Sequence, residues 1–158
     1  MANHFENFKK YAFRLELLQE YNVDGEKESI KEFLKTGKVS EDKDWTNLIK
    51  SAISRGAFME RVHVIILPIS KYLKYEIEAY KANIEAGEKV SFMLKEEFDK
   101  INTKINHDFW LFDDKIVLKM NYDLSGKFKG FEEIKNASEF VKLKDITLLK
   151  SKPISELK

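Results

Sequence analysis

The chain has 158 residues, enough for one domain that buries roughly two thirds of the surface its unfolded form exposes. It contains no cysteine, which excludes a disulfide framework, a thiolate zinc site, an iron–sulfur cluster and a cysteine nucleophile. Its 28 basic and 27 acidic residues are interspersed to a net charge of +1, without the basic excess or stripe of a generic electrostatic nucleic-acid binder.

The first ten residues lack the apolar core of a signal peptide, and the longest strongly apolar run, 62–69, is too short to span a bilayer. A cytoplasmic protein with no membrane partner is expected. Only Arg14, Arg55 and Arg61 of the basic residues are arginines, which marks them for inspection.

In chain order, residues 3–11 begin as a polar-apolar helix. Residues 12–21 read either as its continuation or as a strand with Phe13, Leu15 and Leu17 on one side and Arg14 and Glu16 on the other. After the Asp24-Gly25 turn, Ile30, Phe33 and Leu34 predict a short helix that ends at Gly37. Trp45, Leu48, Ile49, Ala52 and Ile53 repeat at helical spacing, with Asp44 as the expected N-cap, Gly56 as the stop and the apolar set as core. Residues 61–67 form the clearest strand, apolar on both faces and therefore central, and Pro68 ends it. Ser70 caps a long helix with Leu73, Ile77, Tyr80 and Ile84 inward, and a strand follows at 89–94. Residues 96–106 read as a loop with one helical turn. Three antiparallel strands follow at 109–112, 116–122 and 127–134, and a last helix lies within 136–150.

The expected fold class is α+β. A mixed sheet of about five or six strands carries a crossover helix at 70–86 and an N-terminal helical layer. We read one domain over 1–158, with the helical layer at 1–57 and the sheet core at 58–150.

His107 and Asp114, separated by Asp108-Phe109-Trp110-Leu111-Phe112-Asp113, resemble the active-site motif of the phospholipase D superfamily, with Phe109 in place of its lysine. The preceding strand-helix-strand resembles that fold's half-domain, over about residues 58–150. The resemblance implies a histidine nucleophile, a second histidine as acid and lysines on the phosphoryl oxygens. Phe109 cannot bind phosphate, and one motif copy would require a homodimer. If the chain is an enzyme, His107 and Asp114 carry it; otherwise no catalytic residue is expected.

A second resemblance spans nearly the whole chain. Ala12-Phe13-Arg14-Leu15-Glu16, Tyr21-Asn22-Val23-Asp24-Gly25-Glu26, Arg61-Val62-His63-Val64, Tyr72-Leu73-Lys74-Tyr75-Glu76, Ala86-Gly87-Glu88 and the 109–114 string are similar to an uncharacterised bacterial domain family. Its members are often encoded beside helix-turn-helix regulators. What this implies is context: a protein partner, such as such a regulator.

Several polar residues sit where a plain core would not need them. Arg14 and Glu16 share a face if 12–21 is a strand, Arg61 and His63 share a face of the best strand, and Glu76 lies on the next helix. With Asp113, Asp114 and Tyr122 they form the candidate ligand-binding set. One reading is a structural ion-pair network, the other a pocket for a small anion or nucleotide-like ligand. His63, between valines, is expected to be a hydrogen-bonded core histidine, and His4 to be exposed. Asp108, Asp113 and Asp114 fit turn chemistry better than a cation site, so no metal is expected and no cofactor is implied. Phe109, Trp110 and Phe112 could stack on a base or ring, but alternating strand residues more often include one face that is simply core, and core is the preferred reading.

The leading functional expectation is a non-catalytic binding or regulatory module of a bacterial regulatory, mobile-element or defence system, with a protein partner or small anionic ligand. The alternatives are a homodimeric phosphodiesterase or nuclease using His107, and a structural or immunity-type interaction protein.

Overall fold

The structure is a computed structural model that describes residues 3–157. Strand β1 (Tyr11–Glu16) lies inside a seven-stranded sheet and is buried at five of its six positions. Of residues 12–21, which both helix and strand accommodate, 12–16 are strand and 17–21 are an irregular connection, and helix α1 (His4–Asn7) before them is a single turn. Alternation explains the outcome. Phe13 and Leu15 enter one apolar cluster while Ala12 enters another, the pattern of a strand covered on both faces.

The chain continues through α2 (Glu26–Thr36), α3 (Lys43–Ser54), β2 (Phe58–Ile65), α4 (Lys71–Ala86), β3 (Lys89–Leu94) and α5 (Lys95–Asp99). Then come β4 (Phe109–Phe112), β5 (Ile116–Tyr122), β6 (Phe128–Ile134), α6 (Ser138–Lys150), β7 (Lys152–Pro153) and a 3-10 turn at Ile154–Glu156. The strand order is β6-β5-β4-β1-β2-β3-β7. β1, β2 and β3 run parallel, whereas β4, β5 and β6 form an antiparallel meander joined to β1 through β4. β7 pairs antiparallel with β3 over two residues.

This is the expected α+β class with a mixed sheet and a crossover helix, with two corrections. The sheet has seven strands, and the N-terminal part drawn as a helical layer supplies one of its interior strands. Hydrophobic burial on α6 is as expected from Phe140, Leu143 and Thr147, but the strand after it was not foreseen.

One sheet face carries Phe13, Leu15, Val62, Val64, Phe109, Leu111 and Val117 against α5 and α6. The opposite face is covered by α1, α3 and α4, and its apolar packing divides in two. One cluster gathers Phe8, Ile49, Met59, Trp110, Phe112 and Leu118, the other Ile65, Leu73, Tyr80, Val90 and Phe92. Charged residues occupy the space between them.

Helix starts show where local signals held. Ser70 caps α4 by accepting from the Leu73 N–H, as expected, whereas α3 is capped by Asp42 accepting from the Trp45 N–H at 3.1 Å, not by Asp44. Ile49 and Ala52 are core, but Ile53 and, on α4, Ile84 are exposed. Helix α2 has no buried residue and rests on α4 through Phe33 against Tyr75, ring centroids 5.9 Å apart. No helix among the described residues is long and apolar enough to cross a membrane.

Candidate functional site

The charged centre follows from the alternation of β1 and β2. Arg14 and Glu16 point to the α3/α4 side, and the parallel register sets them beside Arg61 and His63 respectively. Four long polar side chains thus share one patch, closed from above by Tyr80 and Glu76 of α4. All of Arg14, Glu16, Arg61 and His63 are buried.

Each charge has partners. Arg14 Nη2 donates to Asp108 Oδ2 at 3.0 Å and to the Tyr122 hydroxyl at 3.2 Å. Asp108, just before β4, also accepts from the Tyr21 hydroxyl at 2.5 Å and from the Leu17 N–H at 2.9 Å. Arg61 donates from Nη1 to Glu16 at 2.8 Å and from Nε to Glu88 at 2.6 Å. The Tyr80 hydroxyl donates to the same Glu16 oxygen at 2.6 Å. Buried charges are tolerable only when paired and hydrogen-bonded in this way.

His63 is surrounded by acceptors. Its Nε2 lies 2.7 Å from the Leu18 carbonyl and must donate to it, while Nδ1 lies 3.1 Å from the Tyr80 oxygen, whose proton goes to Glu16. Both ring nitrogens therefore carry protons. Burial alone would lower the pKa of this imidazole, but the charges of Glu16 and Glu76 and the Leu18 carbonyl outweigh burial and raise it to about 9. Burial likewise opposes ionisation of Glu16, yet Arg61, His63 and Arg14 hold its carboxyl well below the usual range. Glu16 and Asp108 similarly overcome the burial of Arg14 and raise its pKa.

Above this network lies a cleft of about 620 Å3, lined by Arg14, Arg61, Trp45, Trp110, Tyr75 and Tyr80 among others. Residues 23–26 and 39–42, flanking α2, form its rim. The Arg61 guanidinium sits 5.9 Å from the rings of both Trp45 and Trp110, and that of Arg14 lies 5.6 Å from Trp110. Two buried polar atoms among the described residues lack hydrogen-bond partners, Arg14 Nε and Glu76 Oε1, and both residues line this cleft. Glu76 Oε1 lies 3.1 Å from His63 Nδ1, a contact of charge without a hydrogen bond, because that N–H is directed to Tyr80.

Single oxygens of Glu16 and Glu76 and Nδ1 of His63 lie within 4.8 Å of one another, a grouping of metal-ligand type. The Arg61 guanidinium 2.8 Å from that Glu16 oxygen opposes a divalent cation there, and the oxygen already accepts two hydrogen bonds.

The remaining sequence candidates lie elsewhere. Asp113 accepts from the N–H groups of Lys9, Lys10 and Tyr11 at 2.8, 2.7 and 2.9 Å, which ties α1 and β1 to the β4–β5 turn. Asp114 pairs with Lys144 of α6 at 2.6 Å. Neither lines the cleft with Arg14, because Asp113 and Asp114 have φ near 52° and 55° and form the tight turn between β4 and β5. His107 is half-buried on the α6 side, packed on Phe109 and Phe140, and burial lowers its pKa. It lies at the opposite end of β4 from Asp114. His4 is not exposed as expected: its ring stacks on Phe112 at 5.6 Å.

Nothing in linear spacing marks Asp108 and Glu88, each just before a strand, as partners of the arginines, or Tyr21 as a donor to Asp108. Trp45 and Trp110 pack in one apolar cluster, and both also line the cleft.

Comparison with curated proteins found no match. The family model described as Domain of unknown function (DUF6879) matches residues 1–156, which takes in every element named above, and the chain belongs to that family.

Proposed function

We propose that the chain is a non-catalytic binding module, working in the cytoplasm within a bacterial regulatory, mobile-element or defence system, with a protein partner such as a helix-turn-helix regulator. The cleft over Arg14 and Arg61 is its small-ligand site, and the ligand presents an anionic group to Arg14. One observation carries this reading: Arg14 Nε is a buried donor without a partner at a cleft of about 620 Å3, a size within the usual range of ligand pockets.

The histidines support binding over catalysis. His63 is sealed beneath Tyr80 with both nitrogens engaged, and His107 packs on Phe140 across the sheet. Neither lines the cleft. The phosphodiesterase reading needs two His107 side chains to meet across a homodimer, and each is half-buried against Phe109 and Phe140.

The chain has two tryptophans and both line the cleft, so their fluorescence and indole N–H resonances report directly on occupancy. Titration with inorganic phosphate and a panel of small carboxylates is expected to shift both resonances, and Arg14→Gln to abolish the shift while keeping the circular dichroism spectrum. Indole signals that stay fixed across the panel would overturn the anion site. The protein partner is tested by co-elution of the chain with a helix-turn-helix regulator encoded beside it on size-exclusion chromatography, and separate elution would overturn that half of the reading.

A further inference from the structure

We propose that the cleft takes a zwitterion of the α-amino acid type, whose carboxylate meets Arg14 while its ammonium group faces Glu76 and the acidic rim. This rests on the cleft being the binding site and adds the class of its ligand.

The donor side is Arg14. Its side chain is nine-tenths buried, it lines the cleft, and its Nε has no partner. A buried guanidinium N–H without an acceptor is costly, and a carboxylate removes that cost with a charge-assisted bond.

The electrostatic balance excludes a bare anion as the best occupant. The lining holds Asp24, Glu26, Glu41, Asp42 and Glu76 against only Arg14 and Arg61. Both arginines are already paired, Arg14 with Asp108 and Arg61 with Glu16 and Glu88. Glu76 faces the protonated His63 at 3.1 Å and Asp24 lies 3.6 Å from Lys127, but Glu26, Glu41 and Asp42 have no ion-pair partner among the described residues, so an anion that reaches Arg14 passes their negative charge, which a positive group on the same ligand offsets.

The acceptor side is equally specific. Glu76 Oε1 is buried without a hydrogen bond, and burial together with the charge of Glu76 raises the carboxyl of Glu26 despite a hydrogen bond from Tyr72. Two carboxylates crowd one wall, and among the described residues no lysine lines the cleft beside them. His63 meets Glu76 from the buried side only, so an ammonium group in the cleft supplies three donors and the positive charge that Glu26 lacks. Trp45, Tyr75 and Trp110 give the remaining wall an aromatic character that suits an apolar or planar side chain.

The test uses a matched set that shares one ring: L-phenylalanine, 3-phenylpropionate, phenethylamine and L-phenylalaninamide, each titrated into the intact chain and read at the two indole N–H signals. L-phenylalanine is expected to bind about tenfold or more tightly than each analogue, a difference of about 1.4 kcal/mol. Equal binding of 3-phenylpropionate overturns the zwitterion and leaves the anion site standing. Equal or tighter binding of L-phenylalaninamide or phenethylamine overturns the carboxylate contact and with it the anionic half of the proposed function. A set without any response overturns both. Glu76→Gln is expected to erase the preference for L-phenylalanine over 3-phenylpropionate. Glu26→Gln, at the rim and away from His63, is expected to reduce it if the first variant does not fold. A preference unchanged in a folded variant overturns the ammonium contact.

Discussion

Asp108 holds Arg14 from beyond the end of β4: its Oδ2 receives the guanidinium at 3.0 Å, while its Oδ1 receives the Leu17 N–H at 2.9 Å just past the end of β1. One carboxylate therefore neutralises a buried charge and extends the β1–β4 pairing by a further hydrogen bond. Removing it leaves Arg14 with the more distant Glu16, 3.8 Å away. Asp108→Ala is expected to destabilise the fold by about 3–5 kcal/mol, the usual cost of breaking a buried pair from one side. Denaturant titration measures this. Arg14→Met combined with Asp108→Leu should cost less than the sum of the single changes, and strict additivity would show that the two residues do not act as a pair.

The protonated His63 predicts a pH dependence on the alkaline side. Its folded pKa, about 9, lies above the ordinary value of 6.5, so the native state binds the proton more tightly than the unfolded chain. The stabilisation is complete below pH 6.5 and is lost as the pH rises towards 9 and beyond, with a slope of at most about 1.4 kcal/mol per pH unit for one proton. Stability measured by urea unfolding is expected to fall across this window in the native chain. His63→Gln should flatten the slope; an unchanged slope would place the titrating group elsewhere.

Asp113 works through the backbone at the other end of β4. Three N–H groups converge on its carboxylate, and although partial burial opposes the charge, they hold its pKa below the usual value. Asp113→Ala is expected to cost about 1 kcal/mol by removing three hydrogen bonds, two of them solvent-exposed, and also to strain a position with φ near 52°. Because a depressed carboxyl stabilises above its unfolded pKa and ceases to as the pH falls through the folded one, Asp113→Asn should soften acid unfolding below about pH 4. Thermal melts from pH 2 to 5 compare the two chains.

Helix α2 is expected to exchange its amide hydrogens faster than α3 or α4. It buries no side chain, and glycines in left-handed conformations, Gly25 at φ 88° and Gly37 at φ 74°, flank it. Phe33→Ala removes its ring contact with Tyr75 and should raise exchange in 26–36 with little change in global stability. Hydrogen exchange read by mass spectrometry resolves the segment. Protection equal to that of α4 would contradict a weakly held helix.

Period-two alternation made the heart of the site legible, because Arg14 with Glu16 and Arg61 with His63 have to share a face wherever their segments are strands. Which charges neutralise them was not legible. Asp108 and Glu88 lie in connections, and nothing in linear spacing links residue 14 to 108 or 61 to 88. The same limit misplaced Asp113 and Asp114. Their neighbours in sequence include Trp110, which does reach the cleft, but the whole of β4 separates His107 from the turn that Asp113 and Asp114 build. Residues 12–21 stayed ambiguous because helix and strand both accommodate their composition, and only pairing with β2 and β4 decided between them.

The two margins of the sheet differ from its middle. β6, at one end of the strand order, interrupts its apolar residues with Lys129, Glu132 and Glu133, and β7, at the other, is two residues long and includes Pro153, which has no N–H to offer. Charge, brevity and proline are the devices that keep an open sheet from recruiting another strand and growing into an aggregate. A chain with so interior a β1 and such unreceptive borders is expected to stay dispersed when concentrated.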